Sequence, residues 1–158
     1  MTDEAQLDAL GSVREWLIED GWTPELLPDG RTFSFVYDGK NSELFVYVYI
    51  PTAIDILVVY CGCPFDIPDD TMDAAREFVA RANYGMLVGC MELNVEDGDL
   101  RFRSGLDFRG ISLTPDLFRN VLRPSPYGMD RYLPAIRALV IEQKSAVEAL
   151  EVIDVPHG

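Results

Sequence analysis

Between Phe78 and Phe108 a helical apolar pattern, ending in Arg81-Ala82-Asn83-Tyr84-Gly85, passes directly into a segment of alternating polarity that turns back at Glu96-Asp97-Gly98-Asp99. This junction constrains the fold more than any other part of the chain. Two strands joined by a tight turn pair antiparallel, and a helix delivered straight onto them has to bury its apolar stripe against the same sheet. Asp-Gly between alternating residues signals a two-residue turn. The strands then run from Leu87 to Val95 and from Leu100 to Phe108. In that register Glu92 opposes Arg103 and Asn94 opposes Arg101 on one face, while Leu93 meets Phe102 and Val95 meets Leu100 on the other.

Periodicity elsewhere supplies the partners. Leu7, Leu10, Val13 and Leu17 recur at helical spacing, Trp16 widens the stripe, and Gly21 is placed to stop a helix over about residues 4 to 20. Trp22 to Leu27 reads as a short extended piece before the Pro28-Asp29-Gly30 turn. Strands follow over Arg31 to Tyr37, Glu43 to Pro51 and Ile54 to Cys61, an antiparallel meander whose first turn is Asp38-Gly39-Lys40-Asn41. Residues 68 to 84 read as a second helix, with Pro68 in its first turn, Asp69, Asp70 and Asp73 at the positive end of its dipole, and Met72, Ala75, Phe78, Val79 and Ala82 as its stripe. Thr114-Pro115-Asp116 starts another helix, which Arg123-Pro124-Ser125-Pro126-Tyr127-Gly128 breaks. From Met129, helical spacing resumes through Tyr132, Leu133, Ile136, Leu139, Val140 and Val147 to about Leu150. The expected order is α-βββ-α-ββ-α: an α+β fold in which an antiparallel sheet, a three-strand meander plus a hairpin, is packed by helices. The 158 residues suit one domain, 1–158, with an ordered core over about 4–150 and a loose tail at 151–158.

The middle strand of the meander has two unlike faces. Leu44, Val46, Val48 and Ile50 point one way, and Phe45, Tyr47 and Tyr49 the other. A turn of two or four residues at Asp38 to Asn41 places Phe33, Phe35 and Tyr37 with the aliphatic set as the helix-packed core. Ser34, Val36, Phe45, Tyr47 and Tyr49 then share the opposite, partly wet face. A three-residue turn would exchange the two.

Charge narrows the partners. The formal net charge is −14, and residues 1–79 hold 16 acids against 4 bases. Affinity for nucleic-acid phosphate or anionic lipid comes mainly from Lys and Arg, so neither nucleic acid nor membrane is an expected partner. The start Met1-Thr2-Asp3-Glu4-Ala5 lacks a signal-peptide pattern, and no apolar run approaches the ~20 residues that cross a bilayer, which reads as a cytoplasmic protein. Cys61, Cys63 and Cys90 are an odd number and are expected to be buried free thiols.

Catalytic chemistry finds no footing. The only histidine, His157, falls in the expected tail, so no held base is available to activate a serine or cysteine. Cys61-Gly62-Cys63 lacks the two-residue spacer of a redox pair and the companions of a zinc site. Asp66, Asp69, Asp70 and Asp73 lack calcium-loop spacing and fit helix-start electrostatics instead. No metal and no cofactor is expected, and the chain does not read as an enzyme. Arg101, Arg103, Arg109, Arg119 and Arg123 form a local basic concentration able to receive a partner's carboxylates, although Glu92 and Glu96 lie close enough to pair with Arg103 and Arg101 internally.

Three sequence words carry a resemblance. Val13-Arg14-Glu15-Trp16-Leu17 with Asp20-Gly21-Trp22, then Arg81-Ala82-Asn83-Tyr84-Gly85-Met86-Leu87-Val88-Gly89, and Met129-Asp130-Arg131-Tyr132-Leu133-Pro134, resemble the bacterial YbjN family of sensory-transduction regulators, over roughly Val13 to Leu150. The resemblance implies a fold like that of type III secretion chaperones, which commonly dimerise and hold partner proteins. It carries over no catalytic residue. The expectation is a non-enzymatic, chaperone-like adaptor or regulator, a homodimer that binds a partner protein, with Phe45, Tyr47, Tyr49, Arg101 and Arg103 at the interface. The alternative is a small-molecule-sensing regulatory domain with its ligand near Trp16, Trp22 and Tyr84.

Overall fold

The computed structural model describes residues 3–51 and 54–153, with side chains from Asp8 onward. Helix α1 (Asp3–Glu19) is followed by strands β1 (Glu25–Leu26), β2 (Thr32–Asp38), β3 (Glu43–Tyr49) and β4 (Ile56–Gly62). A 3-10 turn at Asp69–Thr71 leads into α2 (Met72–Asn83), then β5 (Cys90–Leu93) and β6 (Leu100–Asp107), and α3 (Pro115–Leu122), α4 (Pro124–Val140) and α5 (Ala146–Leu150) complete the order. All six strands join one antiparallel sheet, β1-β2-β3-β4-β6-β5, and the fold is α+β. The extended piece after Trp22 is thus a sixth strand, short but paired to β2 through Glu25 with Ser34 and Leu26 with Phe33.

The β2–β3 hairpin puts the expected side chains on the core face, but its loop is Gly39 to Ser42, because Asp38 pairs with Glu43 instead of lying in the turn. Tyr37 pairs with Leu44, Phe35 with Val46 and Phe33 with Val48, around a four-residue loop. Helix α4 holds that loop through Asp130. Its carboxylate accepts from the Lys40 and Asn41 backbone N–H groups at 3.1 and 2.8 Å, and the Arg137 guanidinium donates to the Asn41 carbonyl at 3.2 Å. Pro134, inside α4, has no N–H to offer the Asp130 carbonyl one turn earlier; that carbonyl accepts instead from the Asn41 carboxamide at 2.9 Å.

The β5–β6 register departs from expectation. Leu93 pairs with Leu100, Glu92 with Arg101, Met91 with Phe102 and Cys90 with Arg103, a slip of two positions around a six-residue connection. The Asn94 side chain accepts from Glu96 N–H at 3.0 Å and the Asn94 carbonyl from Gly98 N–H at 2.8 Å, so Asn94 opens the turn that Asp97-Gly98 was expected to make alone. Gly98, at φ +79°, offers its carbonyl to Ile67 N–H at 2.8 Å, and a Cβ there would collide with the Ile67 carbonyl. An even slip leaves every side chain on its expected face.

The helices bring two further corrections. Pro124 and Pro126 begin α4 rather than separating helices at Met129, because the first turn has no N–H bonds for proline to lose. That helix stops at Val140 and does not run to Leu150. Ser145 restarts the chain as α5, its hydroxyl accepting from Glu148 N–H while the Glu148 carboxylate accepts from Ser145 N–H. The start of α3 is as read, with the Thr114 hydroxyl accepting from Leu117 N–H at 3.2 Å.

The buried apolar residues form one cluster between the helices and the Phe33, Phe35, Val46, Val48, Leu57, Val59, Phe102 side of the sheet. Ser104 and Ser125 tie α4 to the sheet centre through hydroxyls 2.7 Å apart, Ser125 donating to the Val59 carbonyl at 3.0 Å. Asp20 and Arg119 join the end of α1 to α3 by two bonds of 2.9 Å. All three cysteines are free, but only Cys61 is buried; Cys63 and Cys90 are half-buried. Of the expected tail at 151–158, Ile153 packs against the core, while residues 154–158, His157 included, lie outside the described residues, as does the Leu7 side chain.

Candidate interaction surface

Alternation puts a second, unlike set of side chains on the sheet face turned away from the helices. Across it, Tyr47 of β3 faces Tyr60 of β4, Tyr60 faces Arg103 of β6, and Arg103 faces Cys90 of β5. Beside this row Ser34 faces Tyr47, Val36 faces Phe45, and Tyr49 faces Val58. Phe45 is 58% exposed and Val36 42%, while Tyr47, Tyr49 and Tyr60 are half-buried by one another. A shallow basin of about 410 Å³ lies over Tyr47, Tyr49 and Tyr60, with Arg101 on one rim and Asp29 and Asp99 on others.

The five residues singled out from sequence therefore share one face. Strand pairing also supplies Tyr60, which sequence reasoning missed. Its signal was present in the alternation of Leu57, Val59 and Cys61 with Val58 and Tyr60, but its place beside Tyr47 depends on the turn between β3 and β4.

The arginines are satisfied within the sheet. Glu92 accepts from Arg101 Nε at 2.8 Å and from Arg103 Nε at 2.7 Å, and the Arg101 guanidinium lies 4.0 Å from the centre of the Tyr60 ring. Such pairs, a third to a half exposed, contribute about 0 to 1 kcal/mol each. Glu96 takes no part in an ion pair with Arg101.

No acid, base and nucleophile converge here. Burial pushes the Cys61 thiol up to about 12 and the Cys63 thiol up to about 11, so neither is a thiolate at neutral pH. Among the described residues no cluster of three or more His, Cys, Asp or Glu could hold a metal ion, and no helix is long and apolar enough to cross a membrane.

The sequence words of the resemblance hold the scaffold around this face. Trp22 packs its ring on Phe35 and Tyr37 at centroid distances of 4.9 and 6.0 Å, and Trp16 packs on Phe118 at 5.7 Å. The Asn83 carboxamide accepts from Met91 N–H at 2.7 Å and donates to the Met91 carbonyl at 2.9 Å, occupying the outer edge of β5. Of the three residues about which a ligand site was expected, Tyr84 lines a groove beside α4 whose lining includes neither Trp16 nor Trp22.

No curated protein matches the sequence. The sequence model of one family, described as "Putative bacterial sensory transduction regulator", matches residues 10–138, which is most of the chain and includes all three words. The chain belongs to the YbjN family.

Proposed function

We propose that the protein is a non-enzymatic regulator that acts by associating with other protein, that the open sheet face is its contact surface, and that a second copy of the chain is its first occupant. One observation carries this reading: a full face of a six-stranded sheet presents Phe45, Val36, Tyr47, Tyr49 and Tyr60 with no helix over it among the described residues. Apolar patches of this kind on soluble proteins mark contact sites, and tyrosines suit surfaces that are wet in one state and covered in another. Two such faces related by a two-fold axis would stack about 10 Å apart, each aromatic row against the other.

Charge bears on how the copies meet. The chain carries −14 overall, and although Glu92 pairs with Arg101 and Arg103 on this face, strand register puts Glu25, Asp38, Glu43 and Asp107 on it too, so two copies repel each other across the face as well as from its rim. Association is then expected to tighten with added salt, which screens long-range repulsion over about 10 Å at 0.1 M. The acidic surface gives nucleic acid and anionic lipid no purchase, which leaves a protein partner, met in the cytoplasm, as the target of an adaptor of this kind.

Replacing Tyr47 and Tyr49 together with Lys tests the reading. Both side chains lie off the core, so the variant is expected to keep its fold by circular dichroism while its mass by light scattering falls to the 17.7 kDa of one chain. A wild type already at that mass over its whole soluble range, or a variant that associates unchanged, sinks the proposal.

A further inference from the structure

The loop from α2 to β5 and the start of α4 enclose a groove of about 370 Å³ on the helix side of the sheet, away from the aromatic face. Met86 and Val88 form one wall and Tyr127 and Tyr132 the other. The floor is the ring of Phe102, reached because Gly128 is bare: a Cβ there would come within 2.5 Å of the ring. Asn83 fixes the start of the loop by its two bonds to Met91. The segment so held leaves Tyr84 92%, Leu87 89% and Val88 59% exposed, at the mouth of the groove.

Charge marks what the groove would hold. One of its twelve lining residues is charged, and that one is a cation, Arg131, in a chain with 27 acids and 13 bases. No acid lines it. Guanidinium has five N–H donors, so Arg131 can serve a carboxylate in addition to its contacts within the chain. Burial holds the neighbouring Tyr132 phenol above its ordinary range against the opposing pull of Arg131, so it remains a hydroxyl able to donate. An apolar cleft of this volume with a few convergent polar groups has the form of a small-ligand site.

We infer that this groove binds a small amphiphilic anion, an alkyl or aryl carboxylate whose apolar part lies on Phe102 between Met86 and Tyr132 and whose carboxylate meets Arg131. This site is independent of the sheet face and gives a sensory-transduction family member something to sense.

Titration calorimetry on the full chain with hexanoate, octanoate and decanoate, and with decanol and decylamine, tests it. Affinity is expected to rise by about fourfold per buried methylene. Decanoate is expected to bind about fivefold more tightly than decanol, and decylamine more weakly than either. Arg131→Gln should remove the preference for decanoate over decanol and keep the chain-length dependence. Tyr84→Ala, at a side chain too exposed to affect folding, should weaken the whole series together. No binding of decanoate to folded protein, equal binding of decanoate and decylamine, or an Arg131→Gln variant with the preference intact would each overturn the inference. So would a Leu87→Asp variant that changes the mass of the protein while decanoate leaves the wild type untouched, since the groove would then belong to a protein contact.

Discussion

Replacing Asn83 with Ala should show how much of this fold hangs on one side chain. Its carboxamide fills both hydrogen-bonding positions of Met91 on the outer edge of β5, at 2.7 and 2.9 Å, and Met91 is only 2% exposed. Two net hydrogen bonds contribute about 1 kcal/mol each, and leaving the two backbone groups unpaired beneath α2 adds to that, so the expected loss is about 2–4 kcal/mol. For a chain of this size each kcal/mol moves the melting point by about 2–4 °C, which puts the variant about 4–16 °C below wild type in calorimetry. The Met91 amide faces away from β6, so its hydrogen exchange should become fast in the variant while amides between β4 and β6 stay protected. Asn83→Asp keeps an acceptor for the Met91 N–H but sets a carboxylate against the Met91 carbonyl, and should not rescue. A melting point within 1–2 °C of wild type, with the Met91 amide still protected, would refute the assignment of Asn83 as the cap of the sheet edge.

Asp130→Ala removes the acceptor for Lys40 and Asn41 N–H and is expected to cost about 2–4 kcal/mol by denaturant titration, with the β2–β3 loop losing exchange protection first. Alkylation of native protein near neutral pH, followed by mass spectrometry, should leave Cys61 unmodified and Cys63 slow, because burial holds both thiols well above that pH, and both should react fully in urea. The Thr32 hydroxyl, followed by Arg31 N–H, holds the Asp29 carboxyl below its ordinary value; the stabilisation it brings is full above the ordinary carboxylate range and is lost as pH falls through the lowered value. Thr32→Val should raise the Asp29 titration measured by NMR, and an unchanged titration would contradict that cause.

What the sequence revealed follows from which contacts are local. The faces of β2 and β3 were legible because any even loop sets Phe33, Phe35 and Tyr37 with Leu44, Val46 and Val48, but the register itself was not, since Asp38, read as a turn residue, pairs with Glu43. The β5–β6 register slipped by two because the Asp-Gly rule is local, whereas Gly98 is held by Ile67, thirty-one residues away in the chain. Pro124 and Pro126 look like helix breakers until a helix is seen to start on them, and Pro134 is accommodated because Asn41 takes up the carbonyl it frees. The aromatic face was readable from period two within β3, and Tyr60 joined it only once β3 and β4 were paired. The groove was not readable at all, since residues 84–88, 102 and 127–132 meet only through tertiary packing.

The central claim is that the open sheet face is covered when the protein associates. Hydroxyl-radical footprinting across a range of protein concentrations, read by mass spectrometry at single residues, tests it most directly. Oxidation of Phe45, 58% exposed in the single chain, should fall together with that of Tyr47 and Tyr60 as concentration rises, while Tyr84 and Tyr127 beside the groove stay equally reactive. Equal oxidation of Phe45 at every concentration, or protection that settles on Tyr84 and Tyr127 instead, would contradict it.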